Sequence, residues 1–110
     1  MKRIQEVLKT PNRILLFPFD LMAHYLRCLS LVSNLPESEI MFAESKSYNS
    51  FVREKGFSTF KCEGFDASFV MECAENFDFS WLNYKDANRV LLSQISVINE
   101  YKPDLVIGDT

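Results

Sequence analysis

His24 is the only histidine in this 110-residue chain, and it follows the apolar run Arg13-Ile-Leu-Leu-Phe-Pro18 through Phe19-Asp20-Leu21-Met22-Ala23. A neutral imidazole removes a proton from a hydroxyl near pH 7, and a carboxylate on its other ring nitrogen fixes the tautomer and stabilises the imidazolium. Asp109, at the tip of Leu105-Val-Ile-Gly-Asp109, is the candidate carboxylate. An alcohol activated by such a pair attacks an activated carbon. Spacing alone leaves a second reading open, in which His24 merely sits at a helix start and Asp109 takes a turn hydrogen bond.

Other chemistries find less support. Cys28, Cys62 and Cys73 are odd in number, widely spaced and without a CxxC pair, which argues against a disulfide framework or structural zinc. They read as small core residues in a reducing, cytoplasmic compartment, and no metal site is expected. Lys+Arg 12 against Asp+Glu 15 gives −3, so there is no positive field for nucleic acid. The longest apolar run falls far short of the roughly 20 residues that span a membrane. The charged N-terminus has no apolar signal core. A hydrophobic content of 47% with 25% charge is that of one small folded domain.

The elements that must position His24 and Asp109 can be read from periodicity. Residues 1–12 are expected to form an amphipathic arm, and the domain to occupy 13–110. Arg13 to Pro18 is a continuous apolar run suited to a strand buried on both faces, with Pro18 at its end. From Met22 to Leu35 the period becomes helical, with Met22, Leu26, Leu29 and Val32 on one stripe and Tyr25 and Cys28 beside it. Glu39 to Ala43 is a second strand, Tyr48 to Lys55 a brief helix closed by Gly56, and Phe57 to Cys62 a third strand. Asp66 can cap a helix through Cys73, whereas Asn76 to Tyr84 is aromatic and aperiodic. Asp86 is expected to cap an amphipathic helix carrying Val90, Leu91, Gln94, Ile95, Val97, Ile98 and Tyr101. Lys102-Pro103 stops it, and Asp104 to Asp109 is the fourth strand.

Strands alternating with helices, joined by crossovers long enough for parallel pairing, predict an α/β fold: a Rossmann-like open parallel sheet of order 3-2-1-4, with helices on both faces. Ligands in such sheets bind beyond the carboxyl ends of the strands, where strand order reverses. That point lies between the first and fourth strands, so the topology brings His24 and Asp109 to one crevice from opposite ends of the chain. Asp20 stands at the crevice mouth, as an acceptor contact or as a turn or helix-capping carboxylate. Ala23 precedes the histidine on the same loop. Trp81, in Phe77-Asp-Phe-Ser-Trp81-Leu-Asn-Tyr84, either lines a binding pocket or packs its ring on the core.

The run Arg13 to Phe19 followed by Ala23-His24 and a Leu-rich helix resembles the opening of GT-B glycosyltransferases, above all glycosyltransferase family 1. Glu39 to Ala43 is similar to that family's second strand, and Tyr48 to Phe57 to its next helix and turn. Tyr101-Lys-Pro-Asp-Leu-Val-Ile-Gly-Asp109 resembles its "kPDlvigD" strand. The resemblance covers about Arg13 to Thr110 and implies that the chain is the N-terminal, acceptor-side part of a nucleotide-sugar-dependent enzyme. It implies His24 as the catalytic base and Asp109 as its carboxylate partner, with no metal and no cofactor. The nucleotide-sugar donor would be a substrate bound mainly by an absent C-terminal domain or partner subunit. The acceptor would be a small-molecule or lipid-linked alcohol, contacted by Asp20, Ala23 and Trp81, and the fragment alone would be inactive. The chain differs in lacking glycines before the histidine and in carrying Arg27 where the family often has proline. A non-catalytic Rossmann-like module that completes a partner's site is the alternative of a different class. A receiver or flavodoxin-like domain fits less well, because Asp20 stands alone after the first strand and no Ser/Thr/Gly-rich phosphate loop follows it.

Overall fold

The computed structural model describes residues 12–35 and 38–109, so the expected arm lies outside the described residues except for Asn12. β1 (Arg13–Pro18) is the hub of a four-stranded sheet completed by β2 (Glu39–Ala43), β3 (Ser58–Phe60) and β4 (Leu105–Asp109). The order is β3-β2-β1-β4 and every pairing is parallel, as the alternating sequence pattern predicts. With a neighbour on each edge and helices over each face, Ile14, Leu15 and Leu16 are 0% exposed. Each such side chain contributes about 1.5–3 kcal/mol on burial.

Successive residues of β1 feed opposite cores. Ile14 and Leu16 pack with Ile40, Phe42 and Val52 under α1 (Met22–Val32) and α2 (Asn49–Glu54). Leu15 and Phe17 pack with Phe60 and Val97 on the other face, under α4 (Tyr84–Tyr101). Between β3 and α4 lies α3 (Ala67–Glu75), capped by the Asp66 carboxylate, which accepts the N–H groups of Ser68 and Phe69.

Several local expectations need correction. The buried face of α1 is Tyr25, Cys28, Leu29 and Val32, while Met22 and Leu26 are exposed. The helix is rolled toward Tyr25 because that hydroxyl donates to the Ala43 carbonyl at 2.6 Å and its ring packs on Phe42 and Tyr48. α4 begins at Tyr84, and its cap is Asn83, whose side chain accepts from the Asp86 N–H. Asp86 lies in the first turn instead, where a negative charge suits the helix dipole. Leu91 and Ile95 of the expected stripe are exposed, and Val90 and Val97 are buried. The strand assigned from Asp104 starts at Leu105. Asp104 itself uses its carboxylate to accept the N–H groups of Asn12 and Arg13 at 2.9 and 3.0 Å, pinning the start of β1 to the start of β4.

The aromatic stretch does not pack its rings on the core. Phe77 is 87% exposed with φ 53°, and Phe79, Leu82 and Tyr84 are also exposed. Trp81 alone is partly covered. Leu105 and Val106 of the edge strand β4 are exposed as well.

Candidate functional site

The parallel register places Pro18 opposite Asp109, and the Phe19 N–H continues that ladder to the Asp109 carbonyl at 2.7 Å. The chain then turns at Leu21, which caps α1 without a side-chain hydrogen bond, and His24 falls in the first helical turn. The two strand-tip residues are therefore brought together as the topology predicts: His24 Nδ1 lies 3.1 Å from Asp109 Oδ1. Their side chains are 17% and 15% exposed. Nε2 has no hydrogen-bond partner among the described residues, and no buried side-chain nitrogen or oxygen is left without one. Nε2 consequently reaches solvent, where a hydroxyl can meet it. Phe19 packs edge-on against the imidazole with centroids 5.6 Å apart, which restricts the ring.

A third member was not anticipated. Arg27, one helical turn beyond His24, grips Asp109 with a planar fork, Nε to Oδ2 at 2.7 Å and Nη2 to Oδ1 at 2.9 Å. Its Nη2 also lies 3.1 Å from His24 Nδ1. The Arg27 fork, aided by the hydrogen bond to His24, holds the Asp109 carboxyl below its ordinary range. The carboxylate raises the Arg27 guanidinium in turn. The i, i+3 spacing from His24 was the available signal, since residues so spaced share a helix face.

Asp20 neither caps α1 nor stays a solvated turn residue. Its carboxylate accepts the Ser45 hydroxyl at 2.5 Å and the Lys46 N–H at 3.0 Å, tying the loop after β1 to the loop after β2. Ser45 is buried, and its oxygen also accepts the N–H groups of Ser47 and Tyr48. Ala23 is exposed on the first turn of α1.

A cavity of about 520 Å³ opens over the carboxyl ends of β1, β2 and β3, beneath α4. Its volume is within the ordinary range for small-molecule sites. Phe17, Phe19, Phe65 and Val90 give it an apolar lining, and Asp20 reaches its edge. Its cations are matched, Lys46 by Asp66 at 3.3 Å and Arg89 by Glu63 at 2.6 Å. His24 and Asp109 do not line it. The cavity is therefore displaced by a strand from the crevice where the sequence places the ligand, and Phe19 is the residue common to both. Trp81 packs edge-on to Phe65, with centroids 5.5 Å apart, and touches the cavity only through that ring.

No family model, curated protein or solved structure matches the chain. Among the described residues, no group of three or more His, Cys, Asp or Glu is placed to hold a metal ion, and no helix is long and apolar enough to cross a membrane. The cysteines are free. Burial pushes the Cys28 thiol up to about 11 and raises that of Cys62, so neither is an activated nucleophile at neutral pH.

Proposed function

We infer that this chain is the acceptor-side part of a nucleotide-sugar-dependent glycosyltransferase of the GT-B type. The observation that carries the reading is the 3.1 Å contact between His24 Nδ1 and Asp109 Oδ1 at the reversal of strand order, with Nε2 open to solvent. In the reaction, Nε2 takes the proton of the acceptor hydroxyl while Nδ1–H donates to Asp109. The acceptor oxygen bonds to the anomeric carbon, and the nucleoside diphosphate departs with the electron pair of the breaking C–O bond. The donor is held mainly by a second domain or subunit, and this chain alone transfers no sugar.

The neighbouring cavity supports an acceptor in preference to a donor on this side. Three phenylalanines line it beside four carboxylates, and its two cations are already paired, an environment suited to a neutral, partly apolar alcohol and poorly suited to a diphosphate. Phe19 connects that cavity to the base. Asp20 positions the loops beneath the acceptor, and Trp81 backs the wall through Phe65. The exposed Leu105 and Val106 of β4 favour a further body packed beside that strand, which suits either the rest of the enzyme or, in the alternative reading, a partner whose site a non-catalytic module completes.

Two experiments test this. Incubating the chain alone with nucleotide sugars and alcohols gives no glycoside; product formation would refute the proposed division of labour. In the enzyme assembled with its donor-binding domain, His24→Ala lowers turnover by about 10²–10⁴-fold, the usual worth of a general base. Unchanged turnover in a folded variant overturns the base assignment and favours the non-catalytic alternative.

A further inference from the structure

Asp109 has two suitors. Its Oδ1 faces both His24 Nδ1 at 3.1 Å and Arg27 Nη2 at 2.9 Å, while its Oδ2 is taken by Arg27 Nε at 2.7 Å. The same Nη2 stands 3.1 Å from His24 Nδ1, closing a triangle of three polar atoms. A neutral imidazole has one ring hydrogen, and the hydrogen bond made by each nitrogen decides where it sits. Donation from Nδ1 to Oδ1 leaves Nε2 bare and able to take a proton. Acceptance at Nδ1 from the guanidinium puts the hydrogen on Nε2, where the ring has no basic nitrogen facing solvent.

We propose that Arg27 is a positioning residue that competes with His24 for Asp109 and so divides the neutral imidazole between its two tautomers. Two features of the geometry act in the same direction. The planar fork engages both carboxylate oxygens, so Oδ1 is shared and the carboxylate is a weaker acceptor for Nδ1–H than a free carboxylate would be. The guanidinium also presents a donor to the nitrogen that Asp109 needs protonated. Asp109 and Arg27 are the charged groups whose side chains meet the ring, and the apolar Phe19 packs edge-on against it. Arg27 is the most accessible member of the triangle, its side chain 58% exposed, against 17% for His24 and 15% for Asp109. It is thus the member free to turn aside, which would leave Oδ1 to the imidazole alone and the base in its competent form.

The consequence for sugar transfer rests on the base assignment above, but the tautomer is measured on the chain as it stands, without any reaction. With a single histidine, the ring ¹⁵N shifts and two-bond couplings to the ring hydrogens in a uniformly labelled sample belong to His24 without ambiguity. In the wild-type chain with the ring neutral, both tautomers are populated. In Arg27→Leu the ratio of the Nδ1–H to the Nε2–H form rises by about tenfold, the worth of a hydrogen bond involving charged groups. Arg27→Gln, which keeps a polar helix surface, shifts the ratio in the same direction and serves if the leucine variant does not fold. A wild-type ring already wholly in the Nδ1–H form overturns the proposal, as does a ratio unchanged within twofold in the folded variants or a shift toward Nε2–H. Any of those results leaves the His24→Ala rate test standing on its own, and a failed rate test leaves the tautomer measurement intact.

Discussion

Tyr25→Phe removes one oxygen from a residue that is 1% exposed and adjacent to His24 in α1. The lost hydroxyl donates to the Ala43 carbonyl at 2.6 Å, the contact that fixes the roll of α1 on β2. Net loss of a hydrogen bond costs about 0.5–1.5 kcal/mol, and leaving a half-buried carbonyl short of a partner places the total toward the upper end of that range. The ring contacts with Phe42 and Tyr48 remain, so little is added for packing. In a domain of this size, each kcal/mol lowers the melting temperature by about 4–8 °C. Burial, with a smaller contribution from the charge of Asp20, raises the hydroxyl well above its ordinary range. The group therefore stays a donor, and the deficit of the variant is the same at pH 6 and pH 9. Urea denaturation followed by circular dichroism measures it, with an unchanged slope showing that only stability has moved. A deficit below about 0.5 kcal/mol would show that α1 is held by apolar contacts alone and that the Tyr25 hydroxyl does not set the helix roll that presents His24.

Phe77→Gly stabilises the chain by about 1 kcal/mol, because a bulky residue at φ 53° gives way to one that adopts this conformation freely and the ring makes little contact to lose; thermal melting checks it. Leu16→Ala costs about 2–5 kcal/mol by opening a hole where β1 meets α1, read from the urea midpoint. Asp109 is held below its unfolded value, so its contribution is fully present above about pH 4 and is lost as pH falls through the folded-state value. Asp109→Asn is accordingly less stable than wild type at pH 7, and the gap narrows between pH 4 and pH 2. A gap that stays constant across that window would show that the Arg27 and His24 contacts add nothing to the carboxylate.

The parts of the fold that were legible came from signals one segment carries by itself or that chain topology forces. The apolar run from Ile14 to Phe17 marks a strand covered on both faces, and right-handed crossovers then leave β1 and β4 as neighbours. That neighbourhood alone brings His24 to Asp109. Features set by competition between equivalent residues were illegible. Asn83 and Asp86 are both good caps three residues apart, and the turn that also engages the Ser80 carbonyl selects Asn83. The roll of α1 is decided by Tyr25 reaching a carbonyl on β2, which no periodicity of α1 encodes. In the sequence Arg27 stood out only as a departure from the glycosyltransferase pattern that the chain resembles. Its fork needs a carboxylate 82 positions away, delivered by the pairing of Pro18 with Asp109. The exposure of Phe77 and Phe79 runs against hydrophobicity as a guide to burial.

The lone indole of the chain rests edge-on against Phe65, a wall of the cavity beneath α4. Trp81 is therefore a built-in optical reporter. When a compound fills that space and shifts Phe65, the polarity around the indole changes, and the emission maximum excited near 295 nm moves with it. Binding isotherms can thus be recorded on unlabelled material, free of background from a second emitter of the same kind.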